Sequence, residues 1–199
     1  DGIPGAVTGR LRPYKSWRPI EQATMSYGYG LSATPLQIAQ AYAALGNHGR
    51  LTQPTFVKGQ HNEPTQVLEP GIAAEVMRMM QTVTEPGGTA TRAAILGYHV
   101  AGKTGTARKA SGGGYDRRYV AFFAGLVPVE NPRFAMAVVI DDPGHGMTPE
   151  EISALYARLA RGGERGGFGR HDLVTARQLV GRQLVQVLVE HRGAEILGG

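Results

Sequence analysis

Three apolar segments of strand length, at residues 100–109, 119–127 and 133–140, follow one another with connections too short for a crossover. One connection carries Ser111-Gly112-Gly113-Gly114, and the other is bounded by Pro128 and Pro132. A parallel neighbour would need a dozen or more linking residues, so these strands must run antiparallel. An antiparallel sheet must cover at least one face, and the flanking sequence has the period to do it. Thr34 reads as an N-cap with Pro35 at the first helical position, Leu36, Ala39, Tyr42 and Ala43 on one face, and Asn47 and Gly49 as the stop. After Pro70-Gly71, residues Ile72, Val76, Met79, Met80 and Val83 recur at offsets 4, 7, 8 and 11, predicting a second helix with these residues, the Met pair included, as core. Thr148-Pro149-Glu150-Glu151 reads as a capping box opening a third helix, with Ile152, Leu155, Tyr156 and Leu159 on one face. A Gly/Arg-rich break over 161–170 then precedes a last expected helix carrying Leu173, Val180, Leu184 and Leu188. The expected class is α+β, an antiparallel sheet flanked by helices.

Glycine, at 29 of 199 residues, is about twice its usual ~7% share, yet it follows no G-X-Y period, which excludes a collagen-like chain. The longest apolar run, residues 134–140, is far short of the ~20 residues that span a bilayer, so this stretch is expected to be soluble. With no Cys there are no disulfides or thiolate metal sites, and the six His show no metal-ligand spacing. No metal or cofactor is expected. A formal charge of +5, spread along the chain, and one short Arg-Gly block give no nucleic-acid signal. The chain opens on Asp1 without a charged-then-apolar leader and is expected to begin within a longer polypeptide.

Residues 97–104, Gly-Tyr-His-Val-Ala-Gly-Lys-Thr, satisfy the nucleotide-binding pattern G-x-x-x-x-G-K-[ST], and Asp141 could pass for its Mg²⁺ carboxylate. A P-loop needs a helix N-terminus directly after Lys-Thr to face the phosphates. Here Gly105 and then Gly112-Gly113-Gly114 follow, with no 3.6-residue period between them. The alternative stands or falls on whether Lys103 lies in a strand. Read as a strand, Ala101-Gly102-Lys103-Thr104-Gly105-Thr106-Ala107 alternates small and polar residues, as suits an edge that admits a substrate backbone. Lys103 supplies a cation, Thr104 and Thr106 supply hydroxyls on one face, and Gly105 leaves the approach open. Those groups suit a carboxylate.

Lys103-Thr104-Gly105-Thr106 resembles the Lys-(Ser/Thr)-Gly-Thr motif of penicillin-binding transpeptidases. The flanks agree: the stretch 21–37 with Ser26-Tyr27-Gly28-Tyr29-Gly30-Leu31, then Gly87-Gly88-Thr89-Ala90, residues 119–125, and Pro132-Arg133-Phe134-Ala135. Together they resemble the monofunctional, division-type penicillin-binding proteins over residues 1–143. The resemblance implies part of a penicillin-binding, serine β-lactamase-like fold and a covalent acyl-transfer site. In that family a serine attacks a D-Ala-D-Ala carbonyl, D-Ala leaves, a neighbouring stem peptide's amine takes the acyl group, and β-lactams mimic the donor. Carried over, Lys103 assists electrostatics and proton transfer. Thr104 and Thr106 bind the terminal carboxylate, the Thr106 N–H is half of the oxyanion hole, Tyr119 lines the pocket, and Gly105 belongs to the substrate-binding strand. The implied partners are peptidoglycan stem peptides, β-lactams and, through the parent chain, cell-division proteins. The implied location is the periplasmic face of the bacterial inner membrane, with the parent chain anchored upstream.

The family's nucleophile lies in Ser-x-x-Lys, and its middle motif is Ser-x-Asn. None of the five serines, Ser16, Ser26, Ser32, Ser111 and Ser153, begins either motif. Both motifs precede this region in the family, so a start within the domain accounts for both absences. The expected division is therefore 1–143 as the C-terminal part of a transpeptidase domain and 144–199 as a helical Arg/Gly-rich tail, one of whose helices replaces the family's C-terminal helix. This stretch alone is expected to be inactive, and a non-catalytic binding fragment remains the other reading. In a completed domain, changing Lys103 or Thr106 is expected to reduce acylation far more than changing His61.

Overall fold

The computed structural model describes residues 7–55, 62–111, 114–143, 149–162, 174–180 and 183–191. The elements run α1 (Pro19–Met25), α2 (Pro35–Gly46), β1 (Arg50–Leu51), β2 (Thr65–Gln66), α3 (Pro70–Gln81), β3 (Ala101–Ser111), β4 (Gly114–Val127), β5 (Phe134–Asp141), α4 (Pro149–Gly162), β6 (Val174–Val180) and β7 (Gln183–His191). Short 3-10 turns at Thr82–Thr84 and Thr91–Ala93 link α3 to β3. Strands β3, β4, β5, β7 and β6 lie in that order in one sheet, with every pair antiparallel. The three strands and the α+β class expected from sequence are those observed.

Side-chain alternation sorts the sheet into two unlike faces. Phe134, Met136, Val138 and Ile140 of β5 join Ala121, Phe123 and Val127 of β4 on one face, packed against Ile152, Tyr156, Ala157 and Ala160 of α4. The intervening Ala135 and Ala137, with Ala124 and Leu126, meet Ala39 and Ala43 of α2 and Met77 of α3 on the other. Large residues fill the α4 side, and alanine on both surfaces lets α2 lie close to the sheet. Leu155 and Leu159 pack at the margin of the α4 core, so this helix covers the sheet.

The ends of α2 are fixed locally. Thr34 Oγ1 accepts from the Gln37 N–H at 3.2 Å, and Gln37 Oε1 accepts in return from the Thr34 N–H at 2.9 Å, a closed capping box. Beyond the helix Gly49 adopts φ +78°, and a Cβ there would stand 2.0 Å from the Leu68 carbonyl oxygen. Only glycine meets both demands.

Three expectations change. Helix α3 forms where expected, but Ala73 and Met77 are its buried residues, while Ile72 and Met79 are exposed. Of the expected stripe, Met80 packs against the cluster that holds Met77, and Val83 is buried just beyond the helix. Residues 19–25, where the sequence reading places no element, form α1 with Pro19 at its first position and Glu21 closing back on the Arg18 N–H at 2.8 Å. The segment expected as a helix carrying Val180, Leu184 and Leu188 is instead the β6–β7 hairpin, with β7 paired along β5 from Phe134↔His191 to Asp141↔Leu184. Val185, Val187 and Val189 also satisfy a period of two, and the open edge of β5 supplies the ladder that chooses it. Leu173 and Thr148 lie outside the described residues, as do His61, His145, His171 and the 163–170 block.

Tyr156 is fully buried with its ring edge-on to Phe123 at 4.7 Å, and its hydroxyl has no hydrogen-bond partner among the described residues. Burial pushes the phenol pKa far up, with a smaller contribution from Tyr42, itself pushed up to about 12 by burial. Both rings stay neutral at any pH at which a protein of this kind works. Tyr156→Phe removes a desolvated group and is expected to leave stability unchanged or raise it by ~1 kcal/mol in urea unfolding. A loss of that size would reveal a partner for the hydroxyl.

Candidate active site

The strand holding the predicted residues is an edge of the sheet. β3 pairs with β4 on one side, through Lys103↔Ala124, Thr104↔Phe123, Gly105↔Phe122 and Thr106↔Ala121, and it stands at the end of the strand order. Lys103 and Thr106 are exposed and Thr104 and Gly105 half-buried. The P-loop alternative is thereby overturned. Lys103 lies near the start of an eleven-residue strand, not in a loop entering a helix, and Asp141 is engaged by Lys109 Nζ at 2.7 Å. Asp141 ends β5 and ties it across β4 to β3.

Alternation divides the motif. Thr104 and Thr106 share the face of Phe123 and Ala121, the α4 side, whereas Lys103 and Gly105 share the face of Ala124 and Phe122, the α2 side. Lys103 nevertheless returns to the strand, its Nζ donating to the Thr104 carbonyl at 2.7 Å. Cation and first threonine thus meet at the strand although their side chains leave it on opposite sides. Tyr119, 38% exposed, falls on the threonine face one step beyond Thr106, directly opposite Arg108, whose guanidinium lies 5.8 Å from its ring centroid.

Gly105 has a reason that sequence did not supply. A Cβ there would come within 2.1 Å of the Phe122 ring on the neighbouring strand, so the glycine seats a cross-strand aromatic as well as keeping the strand slim. Gly102 plays the same part for Phe123, whose ring would be 2.5 Å from an added Cβ.

The tertiary fold adds Thr89. Its hydroxyl lies 2.9 Å from the Thr104 hydroxyl, either oxygen being able to donate. The loop behind it has little freedom: Gly88 sits where a Cβ would strike the Val83 carbonyl oxygen at 2.3 Å, and Ala90 is wholly buried with its N–H on that carbonyl at 2.9 Å. Gly87-Gly88-Thr89-Ala90 was visible as a flank of the motif, but fifteen residues separate the two threonines and only the fold brings them together. Just before the site strand, His99 Nδ1 bonds Glu130, holding that carboxyl below its usual range. Both are exposed, so the pair clips the β4–β5 turn to the entry of β3 with little energy. Tyr27 and Tyr29 meet edge-on at 5.8 Å across a turn in which Gly28 and Gly30 take positive φ. Among the described residues no group of three His, Asp or Glu could hold a metal ion, and no helix is long and apolar enough to cross a membrane.

The sheet is thus antiparallel with helices on both faces, and its edge strand of small residues carries a cation and hydroxyls. The penicillin binding protein transpeptidase domain model matches residues 2–158, and the chain belongs to that family. The match reaches into α4, past the limit of 143 expected from sequence. The chain is 48% identical over 148 residues to the probable peptidoglycan D,D-transpeptidase PenA of Neisseria gonorrhoeae, covering 73% of this chain and 26% of that protein. It is 42% identical over 147 residues to the peptidoglycan D,D-transpeptidase FtsI of Escherichia coli strain K12, covering 73% and 25%. Among solved structures, the apo transpeptidase domain of Burkholderia pseudomallei penicillin-binding protein 3 superposes with a TM-score of 0.74 at 42% identity, over 83% of this chain and 52% of that one. A peptidoglycan glycosyltransferase from Burkholderia ambifaria gives 0.71 at 43% identity, over 83% and 50%. The chain therefore spans about a quarter of the length of these curated relatives and about half of the solved chains.

Proposed function

We propose that this chain supplies the substrate-binding strand of a serine D,D-transpeptidase that cross-links peptidoglycan stem peptides ending in D-Ala-D-Ala. The observation that carries the reading is the placement of Lys103-Thr104-Gly105-Thr106 on an edge strand, with the Thr104 hydroxyl held by Thr89. The hydroxyls of Thr104 and Thr106 bind the terminal carboxylate of the donor peptide. When the Thr89 hydroxyl donates to Thr104, the Thr104 proton is left for the ligand; a charge-assisted bond of this kind is worth about 1.5–3 kcal/mol. Lys103 adds positive charge beside the same strand and assists proton transfer at the nucleophile. Along a ladder, peptide groups two residues apart face the same way. With the Thr104 carbonyl reached by Lys103 at the open side, the Thr106 N–H turns to that side too and can serve as one oxyanion donor. Tyr119 borders the threonine face and lines the pocket.

The reaction is acyl transfer. A serine hydroxyl attacks the penultimate D-Ala carbonyl, the C–N bond breaks and D-Ala leaves carrying a proton, and an amine of a second stem peptide then displaces the serine with loss of its own proton. β-Lactams enter as donor mimics and remain attached. The sequence contains neither Ser-x-x-Lys nor Ser-x-Asn, so the nucleophile is assigned to a part of the domain not included in residues 1–199. The division expected at 143 is moved to the end of the family match, with a transpeptidase part through residue 158 and a remainder at 159–199 that carries the β6–β7 hairpin. The work is placed at the periplasmic face of the inner membrane, where peptidoglycan is made, in company with division proteins; a parent polypeptide found wholly in the cytoplasmic fraction would contradict it.

Residues 1–199 alone are expected to take up no covalent label from a fluorescent penicillin, as read on a denaturing gel. Clear labelling would show that one of the five serines is a nucleophile and would overturn the assignment. If joining the chain to a serine-bearing half of a related domain also gave no label, the non-catalytic reading would gain.

A further inference from the structure

The ladder between β3 and β4 breaks just beyond the motif. Arg108 pairs with Tyr119, and pairing resumes only at Ala110↔Tyr115, so Asp116, Arg117 and Arg118 of β4 stand opposite Lys109 alone. An irregularity of this kind ends a pairing or re-aims a side chain, and the strand end beside it opens easily unless something else holds it. Here the hold comes from the third strand. Lys109 Nζ reaches over β4 to Asp141 Oδ1 at 2.7 Å, Asp141 being the last residue of β5 and the ladder partner of Val120. The next residue, Asp142, donates its backbone N–H to the Tyr119 carbonyl at 2.9 Å. It does so at φ +53°, in the left-handed region that aspartate tolerates and a β-branched residue does not. One aspartate thus grips β3 through its side chain, and its neighbour grips β4 through the backbone.

What this latch holds is the last intact pair before the break. The Arg108 guanidinium lies 5.8 Å from the Tyr119 ring centroid, and the two residues continue the face of Thr104 and Thr106 along the strands. Neither side chain belongs to the clusters packed by α2, α3 and α4, so their place is set by the strands that carry them. We propose that Asp141 and Asp142 are positioning residues of the site: they latch the broken end of the β3–β4 ladder and so fix Tyr119 and Arg108 as its outer wall. The inference rests on the donor placement proposed above. A donor with its carboxylate at Thr104 and Thr106 and its reacting carbonyl at the Thr106 N–H runs its earlier residues on past Arg108 and Tyr119. The latch therefore acts on recognition of those residues rather than on the chemical step. Lys103, Thr104 and Thr106 are held without it, by pairing with β4 and by Thr89.

The test has two readouts. Hydrogen exchange is followed in the 199-residue chain carrying Lys109→Ala, Asp141→Ala or Asp142→Val, the last being unable to hold a positive φ. Each is expected to speed exchange over residues 106–109 and 118–121 by about fivefold, the upper range for one partly exposed ion pair, while residues 123–126 keep their protection. Asp142→Gly, which keeps the N–H and accepts the φ, and the reversed pair Lys109→Asp with Asp141→Lys are expected to retain native protection. The second readout is acylation in the chain joined to a serine-bearing half of the domain. There the three latch variants are expected to raise the half-saturating concentration of a penicillin with a bulky acyl side chain about fivefold and to leave its limiting rate within about twofold. The penicillin nucleus without that side chain should not distinguish them from the native latch. Loss of protection spread through the whole sheet, unchanged exchange, a reversed pair no better than either single variant, or an equal loss for the bare nucleus would each overturn the proposal. No label in the joined protein with the native latch would refute the catalytic reading and the positioning role with it, while a localised loss of protection would leave the latch itself standing.

Discussion

Lys103→Ala, introduced into the chain joined to a serine-bearing half of the domain, is expected to slow acylation by a fluorescent penicillin by ~10²–10³-fold, the range seen when one group stabilising an acyl-transfer transition state is removed. The expectation follows from position: the ammonium sits at the open strand, 2.7 Å from the Thr104 carbonyl, where a developing negative charge would be felt. Thr104→Ala and Thr106→Ala each remove one hydroxyl from the carboxylate site and should cost about 10–100-fold, the equivalent of a hydrogen bond to a charged group. Thr89→Val leaves the Thr104 hydroxyl present but unsteered and is expected to fall between these and Glu75→Ala, an exposed change on α3 that should be silent. The readout is the second-order acylation rate at several β-lactam concentrations. Equal effects of Lys103→Ala and Glu75→Ala would refute the roles assigned here.

Phe123→Ala is expected to destabilise the chain by ~3–5 kcal/mol in urea unfolding, a large part of the 5–15 kcal/mol that holds a domain of this size together. The ring is fully buried, edge-on to Tyr156, and its rim occupies the space that Gly102 leaves on the next strand. Three elements would lose contact with one deletion: β3, β4 and α4. Relaxation could recover little, because neither the Gly102 backbone nor the buried Tyr156 ring can move into the cavity without breaking a ladder bond or another core contact. A cost below ~1 kcal/mol would mean that α4 does not close over this part of the sheet. Coupling is also testable, since Tyr156→Phe should retain its mild effect in the native background while Phe123→Ala removes the ring it packs on.

Much of the sheet and part of the site could be read from residues alone, for identifiable reasons. Residues 100–140 hold apolar runs of strand length and connections too short for anything but antiparallel neighbours, so β3, β4 and β5 follow from local pattern. Thr34-Pro35 with Gln37 is a complete start signal, and α2 begins where it says. The Lys-Thr-Gly-Thr motif is contiguous and needed no fold to be seen. The α3 face came out rotated, with Ala73 and Met77 buried instead of Ile72 and Met79, because a helix carrying apolar residues on several sides leaves the choice to its neighbours. Residues 174–191 satisfy both a helical and a strand period, and β5's open edge resolved them as strands. The Thr89 contact depends on a fifteen-residue return of the chain, which no local signal encodes.

By itself, then, the sequence determined the α+β class, the antiparallel core of the sheet and the chemistry of the edge strand, because these depend on short-range period, turn length and contiguous side chains. The tertiary structure alone decided that the Lys103 ammonium returns to the Thr104 carbonyl, that Gly105 is seated under Phe122, and that the Thr89 hydroxyl meets that of Thr104. The last two are relations between residues far apart in the chain, set by the packing that takes apolar surface out of water.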